Sequence, residues 1–199
     1  MKAALGQDLR RIVLDASLDL ISEEGLANFS MREVARRAGV SHQAPYHYFD
    51  DRAAILAAIV AEGFEQLRAD MAANIAKAKT ADEKLNGIGR AYVRFALRRP
   101  AHFKLMFRSE LVKAEDHAHT HDCAQLAFGL LVSVIDEVAI EKFGRPDPAL
   151  VLTAWSIAHG VSTLLLEGKL NQHCGPSKRA RLEAADRVLD TFSALLAAR

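Results

Sequence analysis

The 199-residue chain is half apolar, with 26% charged side chains. That balance supplies a core for one large domain or two small ones and excludes a disordered chain. The formal net charge is +1, so bulk charge by itself says nothing of a nucleic-acid partner. Cys123 and Cys174 have no C-x-x-C spacing, and neither a signal peptide nor an uninterrupted apolar run of bilayer length is evident. The expectation is a reduced, cytoplasmic, soluble protein with no cofactor and no membrane partner.

In chain order, Leu9, Ile12, Val13, Ala16, Leu20 and Ile21 recur at helical spacing, giving a first helix ended by Gly25. The next helix has several start signals. Ser30 and Glu33 form an S-x-x-E capping box, and Phe29 and Val34 stand at hydrophobic-staple spacing. Met31, Val34, Ala35 and Ala38 make its apolar face, while Arg32, Glu33, Arg36 and Arg37 point outward. Gly39 supplies a sharp turn, Val40 can plug the angle between helices, and Ser41 is placed to cap a second short helix. There His42, Gln43, Tyr46 and His47 share one arc, with Ala44 and Tyr48 behind. Gln can pair with adenine, His and Tyr can donate to phosphates or base edges, and Ala44 could touch a thymine methyl. The pattern predicts a helix-turn-helix whose second helix enters the major groove. Pro45 is tolerable there only near a helix start. Asp50 and Asp51 would repel phosphate unless they cap the following helix. Residues 1–55 carry seven basic and eight acidic side chains, so the motif outranks bulk charge.

Phe29 through Arg52 resembles, without a gap, the DNA-binding domain of the TetR family of bacterial transcriptional regulators. The F-S-M-R-E-V-A-R-R-A-G-V-S run, the Y-H-Y-F run and the basic residue at 52 carry the likeness, and Ala16, Leu20 and Gly25 fit the family's first helix. The resemblance implies phosphate contacts at Ser30, Arg32, Ser41, Tyr46 and Arg52, and base-edge contacts at His42, Gln43, Ala44 and His47.

Beyond the reader, a long connector helix is predicted from Ala53 to about Lys79, then helices at about Ala81–Arg98, Pro100–Lys113, Cys123–Phe143, Pro148–Lys169 and Ser177–Ala198. The expected fold is all-α, of about nine helices: a helix-turn-helix domain over 1–52 and a ligand-binding and dimerisation bundle over 53–199. Bulky apolar residues suggest an effector cavity lined by Leu67, Met71, Tyr92, Phe95, Phe103, Met106, Phe107, Phe128, Trp155 and His159, although plain core packing explains most of them equally well. The W-x-x-x-H-G pattern at Trp155, His159 and Gly160, with the segment Pro100–Phe107, resembles the subgroup of TetR-family C-terminal domains named for that Trp-His-Gly signature. Apolar stripes on the last two helices, including Leu152, Leu164, Val188 and Leu195, suit a four-helix interface in a homodimer.

The segment 115–123 gathers His117, His119, His121 and Cys123, which are candidate metal ligands. Against an enzyme, there is no nucleophile elbow, no phosphate-binding Gly loop and no H-E-x-x-H helix. The function expected is a repressor that binds operator DNA and is released by an apolar small molecule. The alternatives are a metal-responsive regulator using residues 117–123 and a helical protein-interaction scaffold.

Overall fold

The computed structural model describes the backbone of residues 2–108, 110–112 and 116–198, and the side chains from Asp8 onward. Among them are nine α-helices and one short 3-10 turn: α1 (Lys2–Glu24), α2 (Met31–Ala38), the turn Pro45–His47, α3 (Arg52–Ile75), α4 (Ala81–Arg98), α5 (Pro100–Met106), α6 (Ala118–Phe143), α7 (Pro148–Leu166), α8 (Asn171–Cys174) and α9 (Lys178–Ala197). The expected all-α fold is therefore observed. Helix starts follow local chemistry: Thr80, Asp147 and Ser177 each accept a backbone N–H at the head of α4, α7 and α9. Three expectations change. The helix beginning at Pro100 stops at Met106, with Lys113 outside the described residues. α6 begins at Ala118, so most of the His-rich stretch, expected as an irregular link, is its first turn. The short helix α8, ended by Gly175, was not anticipated.

Two compact units are present, and they differ from a division at 52/53. One comprises residues 1–63 and 101–123, the other 64–100 and 124–199. In the first, Val13, Leu14 and Leu20 of α1, Val34 of α2 and Ile55, Leu56 and Ile59 of α3 are buried. Here α3 and α5 approach closely at Gly63, where an added Cβ would lie 2.6 Å from Met106 Sδ. Beside it Glu62 takes Arg11 of α1 at 2.6 Å and faces His102 of α5 at 3.5 Å.

In the second unit α4 packs against α7 and α9, with Ile88, Phe95, Ala96, Leu165 and Leu189 buried. Gly89 lets α4 approach α9, since a Cβ there would lie 3.0 Å from Leu189 Cδ2. Arg90 and Arg94 reach Asp186 and Asp190 of α9, and Lys84 reaches Glu137 of α6. Such surface pairs contribute roughly 0–1 kcal/mol each, so they orient the helices more than they hold them.

The expectation that no segment could span a bilayer needs correction. α6 and α7 are each long and apolar enough to do so by length and composition. Burial accounts for part of this: Leu150, Val151, Ala154, Ala158, Val161 and Leu165 of α7 are core residues, while Leu126 and Ile140 of α6 and Leu152 and Leu164 of α7 are exposed. A helix hydrophobic nearly all round is an ordinary core helix as well as a membrane one.

Candidate nucleic-acid interface and an inner polar cluster

The reader is built on α2. Ser30, in extended backbone, accepts the Glu33 N–H on its Oγ at 3.2 Å. The reciprocal half of the expected capping box is replaced: Arg36 takes the Glu33 carboxylate and holds its pKa below the usual carboxylate range. Phe29 and Val34 are both buried, consistent with their staple spacing. At the other end Gly39 adopts φ +68°, and the Val40 N–H reaches back to Ala35 O while the Gly39 N–H bonds Arg36 O. This is the paired bonding of a Schellman stop, and its left-handed corner favours glycine.

The second helix is not an α-helix. Ala44 N–H bonds Ser41 O, Tyr46 N–H bonds Gln43 O, and His47 N–H bonds Ala44 O, each closing a three-residue step. Pro45 explains this, because it has no N–H to give Ser41 O across a four-residue step, even though Ala44 before it keeps α backbone at φ −59° and ψ −43°. Ser41 therefore acts through its carbonyl in place of the expected side-chain cap. The display survives the change. Ser41, His42, Gln43, Tyr46 and His47 are exposed, and the His42 and Tyr46 rings lie 5.9 Å apart. Ala44 and Pro45 turn inward. With 7% exposure, Ala44 is not presented as a base contact. Tyr48, expected behind the arc, is exposed instead.

Charge on the reader is partitioned. Arg11 is held by Asp15 and Glu62, Arg36 by Glu33, and Arg37 by Glu23 and Glu24. Among the described residues Arg10, Arg32 and Arg52 carry no carboxylate pair, and all three are exposed. Asp51 Oδ1 accepts the Ala54 N–H at 2.8 Å. It is thus spent capping α3, as its position beside Arg52 required. The sequence pattern did not single out Arg10, and it put Tyr48 behind the arc because the orientation of Tyr48 depends on the 3-10 geometry. Arg10 had a signal in hindsight, as one of two adjacent arginines of which only Arg11 has acids at same-face spacing, Asp8 three residues before and Asp15 four after.

In the second unit the aromatic candidates form a connected group. Phe128 and Trp155 rings meet edge-on at 5.7 Å. Tyr92 O bonds His159 Nδ1 at 2.8 Å, and the Trp155 indole N–H points to Tyr92 O at 3.4 Å. Because indole only donates, Trp155 donates to Tyr92 O, and the Tyr92 hydroxyl keeps its one proton to donate to His159 when Nδ1 carries none. Burial lowers the His159 pKa and so favours the neutral imidazole, the only form with a nitrogen free to accept. Burial also pushes the Tyr92 phenol well up. Leu67, Met71 and Phe95 are buried among the apolar side chains of this unit. Phe103, Met106 and Phe107 belong to the other unit, where the two phenylalanine rings lie 5.2 Å apart.

Of the proposed metal ligands, His119 and Cys123 come together, with Sγ 3.8 Å from Nε2. His117, His119, His121 and Cys123 do not converge as one ligand set among the described residues. In an α-helix His119 and His121 diverge by roughly 200°, which dismantles the expected H-x-H-x-H grouping. Glu115 lies outside the described residues.

A capped helix, a left-handed glycine corner and an exposed polar second turn define a helix-turn-helix reader of nucleic acid. Comparison with known proteins adds the family. Residues 13–59 match the model of bacterial regulatory proteins of the tetR family, and residues 85–192 match the tetracyclin repressor-like C-terminal domain. The chain belongs to the TetR family, whose members are DNA-binding transcriptional regulators and not enzymes. The match is to the family's C-terminal domain in general; the narrower Trp-His-Gly subgroup rests on the sequence signature alone. Among curated relatives, the HTH-type transcriptional regulator BetI of Rhizobium meliloti (strain 1021) is 33% identical over 110 residues, 54% of each chain. BetI of Klebsiella pneumoniae (strain 342) is 42% identical over 59 residues, 30% of each chain. The chain thus spans about half, or less, of the length of the curated relatives it matches. Among solved structures, a protein of unknown function from Rhodococcus sp. RHA1 superposes with TM-score 0.74 at 27% identity, covering 94% of this chain and 93% of that one. The fatty acid degradation regulator FadR from Bacillus halodurans gives TM-score 0.70 at 18% identity, with 90% and 93% covered, and shares the fold.

Proposed function

We propose that this chain is a cytoplasmic, dimeric repressor that reads a two-fold operator and leaves it when a small apolar molecule binds the helical bundle. One observation carries the DNA half of this reading: His42, Gln43, Tyr46 and His47 stand exposed on a turn held by a capped, stopped helix. Ser30, Arg32, Ser41, Tyr46 and Arg52 take phosphates, while His42, Gln43 and His47 face base edges. One short turn reads few bases, and two copies read half-sites roughly 34–36 Å apart or at a multiple of that. Leu152 and Leu164 of α7 and Val188 and Leu195 of α9 are exposed apolar side chains that a second copy would cover.

The effector half of the proposal rests on Tyr92, Trp155, His159 and Phe128. A ligand that exchanges hydrogen bonds with Tyr92 or His159 binds one arrangement of these helices better than another, which repression release requires. Selection of binding sequences from random duplexes, followed by gel-shift titration at several salt concentrations, tests the first half. A two-fold symmetric consensus is expected, and failure to enrich any sequence would overturn it. Native mass spectrometry of the purified protein tests the second, by detecting a co-purified apolar molecule and the dimer mass.

A further inference from the structure

Two arginines of the reader unit are backed by aromatic rings, and their rings bracket the reading segment. The Arg52 guanidinium lies 5.7 Å from the Phe29 ring centroid, immediately before Ser30. The Arg10 guanidinium lies 5.3 Å from the Phe49 ring centroid. Phe49 ends the reading turn, and its N–H bonds Pro45 O at 3.0 Å. Its ring is buried at 5% exposure, so the turn and α1 meet there.

We propose that Arg10 of α1 is a DNA-phosphate contact, a second ring-backed guanidinium that works with Arg52 at the opposite end of segment 30–49. This inference rests on the proposed DNA-binding function and extends it to a helix outside the helix-turn-helix. Charge accounting makes the first case. Within residues 8–63 half of the six arginines are spent on carboxylates, with Arg11, Arg36 and Arg37 all paired. Residues 1–55 hold eight acids against seven bases. A polyanion can therefore be held only by cations left uncommitted on the surface, and Arg10 is one of three such arginines within residues 8–63. Pre-organisation makes the second. A guanidinium resting on a ring keeps its planar N–H edge turned to solvent and loses less freedom when a phosphate arrives. Arg10 has this at the exit of the reading turn, and Arg52 has it at the entry.

The test needs no known operator, because phosphate contacts are read by the salt dependence of binding to any duplex. Binding to a random-sequence 30-base-pair duplex is measured by fluorescence anisotropy between 50 and 200 mM salt for wild type, Arg10→Ala, Arg10→Lys and Arg52→Ala, with unfolding temperatures recorded in parallel. Loss of one phosphate contact should reduce the slope of log K against log salt by about 0.9 per protomer, making the affinity loss across that range about 3.5-fold smaller. Arg10→Ala and Arg52→Ala should each do this, and Arg10→Lys should keep the slope while binding more weakly. An unchanged slope in Arg10→Ala overturns the inference even if its unfolding temperature drops, since that pattern marks Arg10 as a brace for Phe49 alone. If Arg10→Ala fails to fold, Arg10→Gln is read by the same slope. Wild type without any salt-dependent binding would remove the DNA-binding function itself, and this inference with it.

Discussion

The two compact units use their polar side chains in opposite ways. In residues 1–63 with 101–123, His42, Gln43, Tyr46 and His47 stand in solvent on a turn whose buried side consists of Ala44, Pro45 and Phe49. In residues 64–100 with 124–199, Tyr92, Trp155 and His159 bond one another among apolar helices. The outward arrangement is stable because water satisfies its donors until a partner replaces it. The inward one is stable only while its members satisfy each other, so a change at one is felt by the rest. A surface for a large polar partner and a coupled inner cluster are what the effector-responsive regulator proposed above would need.

The largest effect tests the outward face. Tyr46 is 43% exposed, so Tyr46→Ala should leave the fold intact yet lower affinity for the selected operator by about tenfold or more, losing a phosphate donor and the ring against His42. An unchanged gel-shift midpoint would mean the face is ordinary surface. Next, Asp51→Ala should cost about 1 kcal/mol in urea unfolding, because the Ala54 N–H at the head of α3 loses its acceptor. Asp51→Asn should restore most of that stability. If Asn fails to rescue, the carboxylate matters for its charge and not for its cap.

Much of the outward unit was legible because its signals are local. Ser30, Gly39 and Asp51 each act on backbone within three residues, and a one-dimensional pattern contains all the partners. The 3-10 form of the reading turn was less legible, since a proline that removes one donor near a helix start is equally compatible with an α-helix beyond it. Tyr48 was misplaced for the same reason, as a 3-10 turn rotates its neighbours differently from an α-helix. The inner cluster was half legible. Spacing put Trp155 and His159 on one face of α7, but Tyr92 is 67 residues from His159, and nothing local pairs them. The charge partition was hidden for a similar reason: Arg11 meets Glu62 across 51 residues. The apolar character of α6 and α7 was in the sequence all along, but it speaks equally of a core and of a bilayer.

A smaller effect tests the inward cluster. Tyr92→Phe removes the shared hydroxyl between Trp155 and His159 and should cost about 1 kcal/mol. Because Trp155 is the chain's one tryptophan, its emission should shift while operator affinity without ligand stays near wild type. An unmoved spectrum would break the cluster as described. Acid gives an independent check. Burial depresses the His159 pKa below its unfolded value, so the unfolded chain binds that proton more readily. The stability this provides is complete above the unfolded value and is lost as pH falls from there through the depressed one. Wild type should therefore lose unfolding temperature between pH 7.5 and about 5, and His159→Gln should lose less. Equal losses would show that His159 titrates freely.

The smallest effect on the fold bears on a face neither unit uses. Gly160 lies in the middle of α7, and an added Cβ would meet no atom within 4 Å. Leu152 and Leu164, on the same side of the helix, are 57% and 42% exposed. In an isolated chain Gly160→Ala should stabilise α7 by about 0.5–1 kcal/mol, because alanine loses less backbone entropy in a helix. If a second copy seats on this face, the same methyl group intrudes where close approach had been possible. Association then weakens while the single chain becomes more stable. Sedimentation equilibrium and urea unfolding at low concentration should show these opposite signs together. A variant that is more stable and dimerises as before would move the proposed interface off this face of α7, leaving Val188 and Leu195 of α9 as the next surface to substitute.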